Sequence, residues 1–233
     1  MIIIGIETAT ERLSASIIIE GEKKFELHKD SRSSHCELLT GFIMQLTGNH
    51  GVNLKSVDCI AVSTGPGSFT GLRIGIATAM GLAYGLGINT VPVNTLAALV
   101  WKTAPVNTLV CPLIDAKRSE VYTGLYRLTD GIPQIICEPA AVPVTKLGEI
   151  LRSTTEQVTI TGPSAEKFHN ILINAEMVPI SIAPVSKLKP SALAVAELGT
   201  LIFRESGGVN PALLQPVYLR RSDAEIARKK QCM

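Results

Sequence analysis

IGIETATERLSASI, residues 4 to 17, returns in outline as PLIDAKRSEVYTGL, residues 112 to 125. Each is an apolar run closing on an acid (Glu7, Asp115), then a polar turn, then a second run rich in β-branched residues, the pattern of paired strands. A unit met twice implies two related halves. Ala104 and Pro105 punctuate the chain between them. The expected division is residues 1–105 as one subdomain and 106–233 as a second that ends in a basic tail.

Working outward, Ile2 to Ile6 and Leu13 to Ile19 read as strands, with a third at Lys23 to His28 after the Glu20, Gly21 turn. Ser33 and Ser34 with Glu37 form a capping box for a helix running to about Thr47. A strand at Val57 to Ser63, a helix at Phe69 to Leu86, a strand at Ile88 to Val93 and a helix at Thr95 to Thr103 complete the first half. In the second, strands at Leu109 to Ile114 and Val121 to Leu128 are followed by a helix near Thr145 to Leu151 and a strand at Gln157 to Ile160. Helices at Ser164 to Asn174 and Ser191 to Glu205 close the chain, so the class is α/β with two subdomains.

Composition narrows the function. The 233 residues carry 18% charged side chains and a net charge of +2. An average soluble chain would hold about sixteen more charges. Apolar surface is therefore in excess, for a core or for a partner. Residues 220–233 contribute +3 by themselves, leaving the body at −1 and no broad nucleic-acid-binding face expected from composition. The stretch from Ile74 to Trp101 has no charge, yet its glycines, asparagines and Pro92 break it into helix, strand and helix rather than a membrane span. Five cysteines without a CxxC pair, and an N-terminus without a basic leader, point to a reducing, cytoplasmic setting.

The stretch STGPGSFTGLRIG, residues 63 to 75, is a glycine-rich turn between strand and helix, where backbone N–H groups could cradle an anion. It has no P-loop lysine, and its glycines fall as GxGxxxG rather than GxGxxG. No acid follows to bind a ribose, and Ser68 lacks the flanking glycines of a nucleophile elbow. Glycines that let a helix pack closely are the competing explanation. Glu7 and Asp115 could hold a metal–nucleotide complex between the halves, but the turns after them, ETAT and DAKR, leave little room for phosphates. An acid bonding its own turn explains them equally well. His28, His35, His50 and His169 form no HxxxH or HExxH pair, so no metal and no cofactor are expected. Phe69, Leu72, Ile76, Met80 and Tyr84 recur at helical spacing, interleaved with Gly71, Gly75 and Ala79. That helix is apolar on nearly every side, which suggests a partner surface as well as a core.

GPGSFTGLRIG at 65–75, with GIETAT at 5–10, ID at 114–115, SEVY at 119–122 and PVYLRR at 216–221, resembles the bacterial TsaB (YeaZ) family over nearly the whole chain. The resemblance implies two tandem ribonuclease H-like subdomains of the actin, sugar kinase and Hsp70 type. It implies a non-catalytic scaffold for TsaD, the transferase that forms N6-threonylcarbamoyladenosine at position 37 of tRNAs reading codons that begin with A. TsaE, a small ATPase, completes that assembly, and tRNA is met only through the complex. TsaD carries an HxxxH metal pair on its matching helix; here His35 has Leu39 four residues on, consistent with lost catalysis. The family's partner or homodimer face points to His35, Leu38, Leu39 and Phe42 on one helix and Leu72, Ile76, Met80 and Tyr84 on the next. Glu7, Thr8, Gly65, Gly67, Ser68, Gly71 and Asp115 would be a vestigial phosphate loop. The rival expectation is an ATP-dependent phosphotransferase or ATPase using the same residues around Mg²⁺.

Overall fold

The structure is a computed structural model that describes residues 1–19, 23–30, 35–103, 107–152, 154–173 and 179–220. Ser33 and Ser34, the expected N-cap pair, lie outside the described residues, as does the tail beyond 220.

Strands β1 (Ile2–Glu7) and β2 (Arg12–Ile19) form an antiparallel hairpin with Glu7 opposite Ser14, and β3 (Lys23–Asp30) pairs with β2. After α1 (His35–Asn49), β4 (Cys59–Gly65) lies parallel to β1. After α2 (Phe69–Leu86), β5 (Asn89–Asn94) lies parallel to β4, and α3 (Thr95–Thr103) follows. The sheet order is β3-β2-β1-β4-β5. Helix α2 starts where its sequence says, because the Ser68 hydroxyl accepts the Gly71 N–H, and stops at Gly87, which takes the left-handed conformation a C-cap needs.

The second half repeats this plan. Strands β6 (Leu109–Pro112) and β7 (Ile114–Lys117) pair with one side of β8 (Glu120–Thr129) and keep a common register up to Asp115, so they are one strand interrupted at Leu113, with a register shift between Asp115 and Lys117. Strand β9 (Ile132–Pro143) lines the other side of β8. After α4 (Leu147–Leu151), β10 (Val158–Thr161) runs parallel to β6. After α5 (Ala165–Ile173), β11 (Ile180–Ile182) runs parallel to β10. Read as β9-β8-β6-β10-β11, the order is that of the first sheet. Two copies of this arrangement in tandem are the ribonuclease H-like halves of the actin, sugar kinase and Hsp70 type.

Beyond the short β11, which the sequence reading also left out, two elements depart from it. β9 was not expected, because IPQIICEPAAVP has two internal prolines and no clean alternation; it is an edge strand, where proline is tolerated. The other is α6 (Ala192–Ser206), which comes after the second sheet but packs on the first. There Val195, Ala196 and Leu198 join Ile3, Ile18, Ala61, Val91 and Val93 in one core. A cut at residue 105 thus separates the sheets but not the cores. The opposite face of the first sheet is covered by α1 and α2, through Leu39, Ile43, Leu46, Leu72, Ile76 and Ala79. Helix α2 has the length and hydropathy of a membrane span, but this buried stripe is part of that core.

Close approach of α6 depends on Gly5, where a Cβ would meet the Ala192 carbonyl, the Ser16 hydroxyl and Ala196. Gly5→Ala is expected to lower unfolding free energy by about 1–3 kcal/mol, as overpacking does, measured by urea denaturation.

Candidate functional site

The site begins at the β1–β2 turn. Glu7 is fully buried. One carboxylate oxygen accepts the Ala9 N–H at 2.6 Å, and the Ser63 hydroxyl donates to the other. Burial pushes the Glu7 carboxyl up to about 7, against the opposing pull of Ser63 and Ala9, with a small further rise from Glu26. Asp115 occupies the matching position and accepts the Lys117 N–H at 2.7 Å, again two residues on. It lies partly in solvent and pairs with Lys167 of α5 at 3.0 Å. Burial works against its ionisation, but the Lys117 amide and Lys167 outweigh it and hold the carboxyl below its ordinary range. Each acid bonds its own turn, as one of the two sequence readings has it.

The glycine block closes over the first turn. The Ser68 N–H donates to the Ala9 carbonyl at 2.7 Å, and the Thr8 hydroxyl donates to the Gly71 carbonyl at 2.8 Å. A Cβ on Gly67, Gly71 or Gly75 would collide with Ala9 or Thr8. Glu7, Thr8, Gly67, Ser68 and Gly71 are therefore brought together, but as a packed joint with the turn where phosphates would need to lie. Gly65 adjoins them with φ at 126° and faces the Val217 carbonyl, while Asp115 stays with the second half. Among the described residues, no three His, Cys, Asp or Glu side chains are grouped to hold a metal ion.

A strap, residues 211–220, then crosses from one half to the other. Val217 N–H donates to the Thr64 carbonyl at 2.7 Å. The Tyr218 ring stacks on Phe69 with centroids 4.4 Å apart, and Arg73 Nε donates to the Tyr218 hydroxyl at 3.2 Å. Arg220 pairs with Glu120 at 3.2 Å and donates to the Ala116 carbonyl. Sequence reasoning passed over Arg73, Tyr218 and Arg220 individually. Their signal was the grouping of GPGSFTGLR, SEVY and PVYLRR as motif blocks, which the fold assembles along one edge.

The second candidate feature is the outer face of α1 and α2, and here three expected interface residues are corrected. Leu39, Leu72 and Ile76 are buried in the chain's own first core: Leu72 and Ile76 share the inward side of α2 with Gly71 and Gly75, and Leu39 enters that core from α1. Leu38, Phe42 and Met80 are half-buried at its margin, and Tyr84 is 78% exposed. The His35 side chain lies outside the described residues. The face that does reach solvent includes Glu37, Thr40, Gly41, Met44, Gln45 and Gly48 on α1 and Thr70, Arg73, Ala77, Gly81, Tyr84 and Gly85 on α2.

These features define a tandem ribonuclease H-like protein whose β1–β2 turn is sealed by α2 and whose helix pair is open. The family model described as TsaD, tRNA N6-adenosine threonylcarbamoyltransferase, matches residues 29–228. The tRNA threonylcarbamoyladenosine biosynthesis protein TsaB of Haemophilus influenzae is 26% identical over 98% of this chain and 96% of its own. The protein of that name in Bacillus subtilis is also 26% identical, over 97% and 96%. The solved structure of YeaZ from Pseudomonas aeruginosa superposes with a TM-score of 0.80 at 26% identity, covering 94% of this chain and 99% of that one. The chain belongs to the TsaD family and, within it, to the TsaB (YeaZ) group.

The buried Glu7 makes stability depend on pH. A carboxyl raised from 4.5 to about 7 in the folded state favours folding at low pH, and that contribution is lost as pH rises between those values. Glu7→Gln should remove the dependence. Chemical denaturation from pH 5 to pH 8 should then show the variant gaining on the parent chain by up to about 3 kcal/mol.

Proposed function

We infer that this chain serves tRNA threonylcarbamoyladenosine biosynthesis as a non-catalytic partner of a TsaD-type transferase, which it holds through the outer face of α1 and α2. The observation that carries the reading is that face itself. Met44 is 61% exposed and Tyr84 78%. Beside them, Gly41, Gly81 and Gly85 have open space where a Cβ would lie, so a partner helix can approach closely. Large exposed apolar side chains around small residues, with few charges, match the composition of an interface centre. A matching helix pair on a transferase with the same fold is the natural complement, and a second copy of this chain is its competitor for the face.

The sealed turn supports the absence of catalysis. Glu7 is fully buried and held by Ser63 and Ala9, and the backbone where phosphates would approach is in contact with Thr8 and Ala9.

Met44→Glu and Gly81→Leu each place an incompatible group on the face without touching the core. Each is expected to weaken TsaD binding by tenfold or more in calorimetry, with unchanged circular dichroism. Leu72→Glu, by contrast, should fail to fold, since Leu72 is wholly buried. Undiminished TsaD binding by both surface variants would overturn the docking face. Tight Mg–ATP binding by the isolated chain would overturn the non-catalytic reading.

A further inference from the structure

The strap carries an exposed surface of its own. Leu213 is 70% exposed, Val217 44% and Tyr218 40%, three large hydrophobic side chains close together in the chain. Between them the strap is anchored: Pro211 is buried, and Leu214 joins the first core with Leu72 and Ile76 of α2. The strap therefore belongs to the layer that α1 and α2 form over one face of the first sheet. Within that layer α1 packs on β2 and β3, and α2 on β4 and β5. Val209 bridges to Thr90 of β5, and the turn Pro211–Leu213 then packs on α2, so the strap comes in on the side of α2 away from α1.

Arg73 joins the two surfaces. It stands on the exposed side of α2, and its Nε donates to the Tyr218 hydroxyl at 3.2 Å. Its guanidinium carbon lies 5.9 Å from the Phe69 centroid and 6.0 Å from that of Tyr218, beside the stacked rings. Arg73 is the one charge on α2, and among the described residues no carboxylate pairs with it. A cation held by a hydrogen bond and two rings has already lost rotamer freedom, so a partner's carboxylate meets it at reduced entropic cost.

We propose that the surface holding the transferase continues from α2 onto the strap, where Leu213 and Val217 take an apolar patch of the partner and Arg73 takes a carboxylate at the seam. This rests on the reading of α1 and α2 as the transferase face, and it extends that face. Arg73 is at once a surface residue of α2 and the hydrogen-bond partner of Tyr218, so a body seated on Thr70, Arg73 and Ala77 meets the strap as well. The composition fits a protein partner: apolar and aromatic side chains around an arginine, with other charges scarce, are what interfaces concentrate. From Arg73 to Tyr84 the helix rises about 16 Å, so Tyr84 and the strap mark opposite ends of one continuous face.

Calorimetry of the full chain against a TsaD-type transferase tests it, with Met44→Glu as the reference for the helix face. Leu213→Glu should weaken binding about tenfold and Leu213→Ser about threefold, both with unchanged circular dichroism. Arg73→Gln should weaken it about fivefold and flatten its salt dependence, since the charge is removed. Tyr218→Phe keeps the stacked ring and loses the hydroxyl, so it should cost about twofold alone and nothing further in an Arg73→Gln background. Val185→Glu, on an equally exposed side chain of the second half, should bind like the parent chain. Hydrogen exchange on the unaltered complex should be slowed in residues 212–219 as well as in α1 and α2. If Met44→Glu weakens binding while Leu213→Glu and Arg73→Gln do not, or if the strap exchanges as fast in the complex as in the free chain, this inference is overturned and the helix face stands. If Met44→Glu, Gly81→Leu and the strap variants all bind like the parent, both readings fall. Equal losses in Leu213→Glu and Val185→Glu would overturn it by showing an effect of added charge alone. Weaker self-association of the strap variants in sedimentation, with transferase binding intact, would give the strap to a second copy of this chain and overturn it too.

Discussion

The near-contact of α2 with the β1–β2 turn fixes the first half of the molecule. Glycines at 67, 71 and 75 remove the Cβ atoms that would stand between helix and turn, and Thr8 bonds the Gly71 carbonyl directly. Gly71 and Gly75, four residues apart, lie on one stripe of the helix, so docking them sets its rotation, and Gly67 makes its contact just before the helix begins. Leu72, Ile76 and Ala79 are thereby turned inward, and Arg73, Ala77, Gly81 and Tyr84 outward. The same contact fills the space beside Glu7. One steric constraint thus seals the turn and selects which side of the helix is offered to a partner.

The repeat shows how little is needed to change a site. Glu7 and Asp115 hold equivalent positions and make the same bond to an amide two residues on. Beyond that bond their environments diverge. The helix after the second half's parallel strand is α5, and it brings Lys167 to Asp115, so that acid is ionised and paired. The corresponding helix in the first half is α2, which brings no cation and excludes water, so Glu7 favours its proton. Equivalent backbone carries carboxyls shifted in opposite directions, Glu7 up by burial and Asp115 down by the Lys117 amide and Lys167.

The hairpins, the repeat and the extent of α2 were legible in the sequence because each rests on local pattern: apolar runs broken by polar turns, and helical spacing that begins after the glycine-rich turn. The inward side of α2 was not. With apolar residues all round, periodicity has no polar face to point away from the core, and Leu72 and Ile76 look no different from Met80 and Tyr84. Only the collision of particular glycines with Thr8 and Ala9 separates them, and that is a fact of tertiary packing. The turn residues Glu7 and Asp115 were legible as acids at strand ends, but their roles depend on what covers them. The strap was visible as a motif and hidden as a structure, since Arg220 meets Glu120 across a hundred residues of chain.

Helix α6 carries a consequence for synthesis. With α3 beside it, α6 covers one face of the first sheet, yet it is made after both sheets are complete. Ile3, Ile18, Val91 and Val93 have been translated by residue 93, and the side chains that shield them, Val195 and Leu198, follow about a hundred residues later. At ribosomal speeds of about 5–20 residues per second, that leaves roughly 5–20 s during which the nascent first half presents an uncovered apolar sheet. The hairpins can settle before α6 emerges, but the core beneath that helix closes only once α6 has been made. A chaperone that shields apolar sheet during that interval therefore has a defined client surface, and a defined moment at which α6 displaces it.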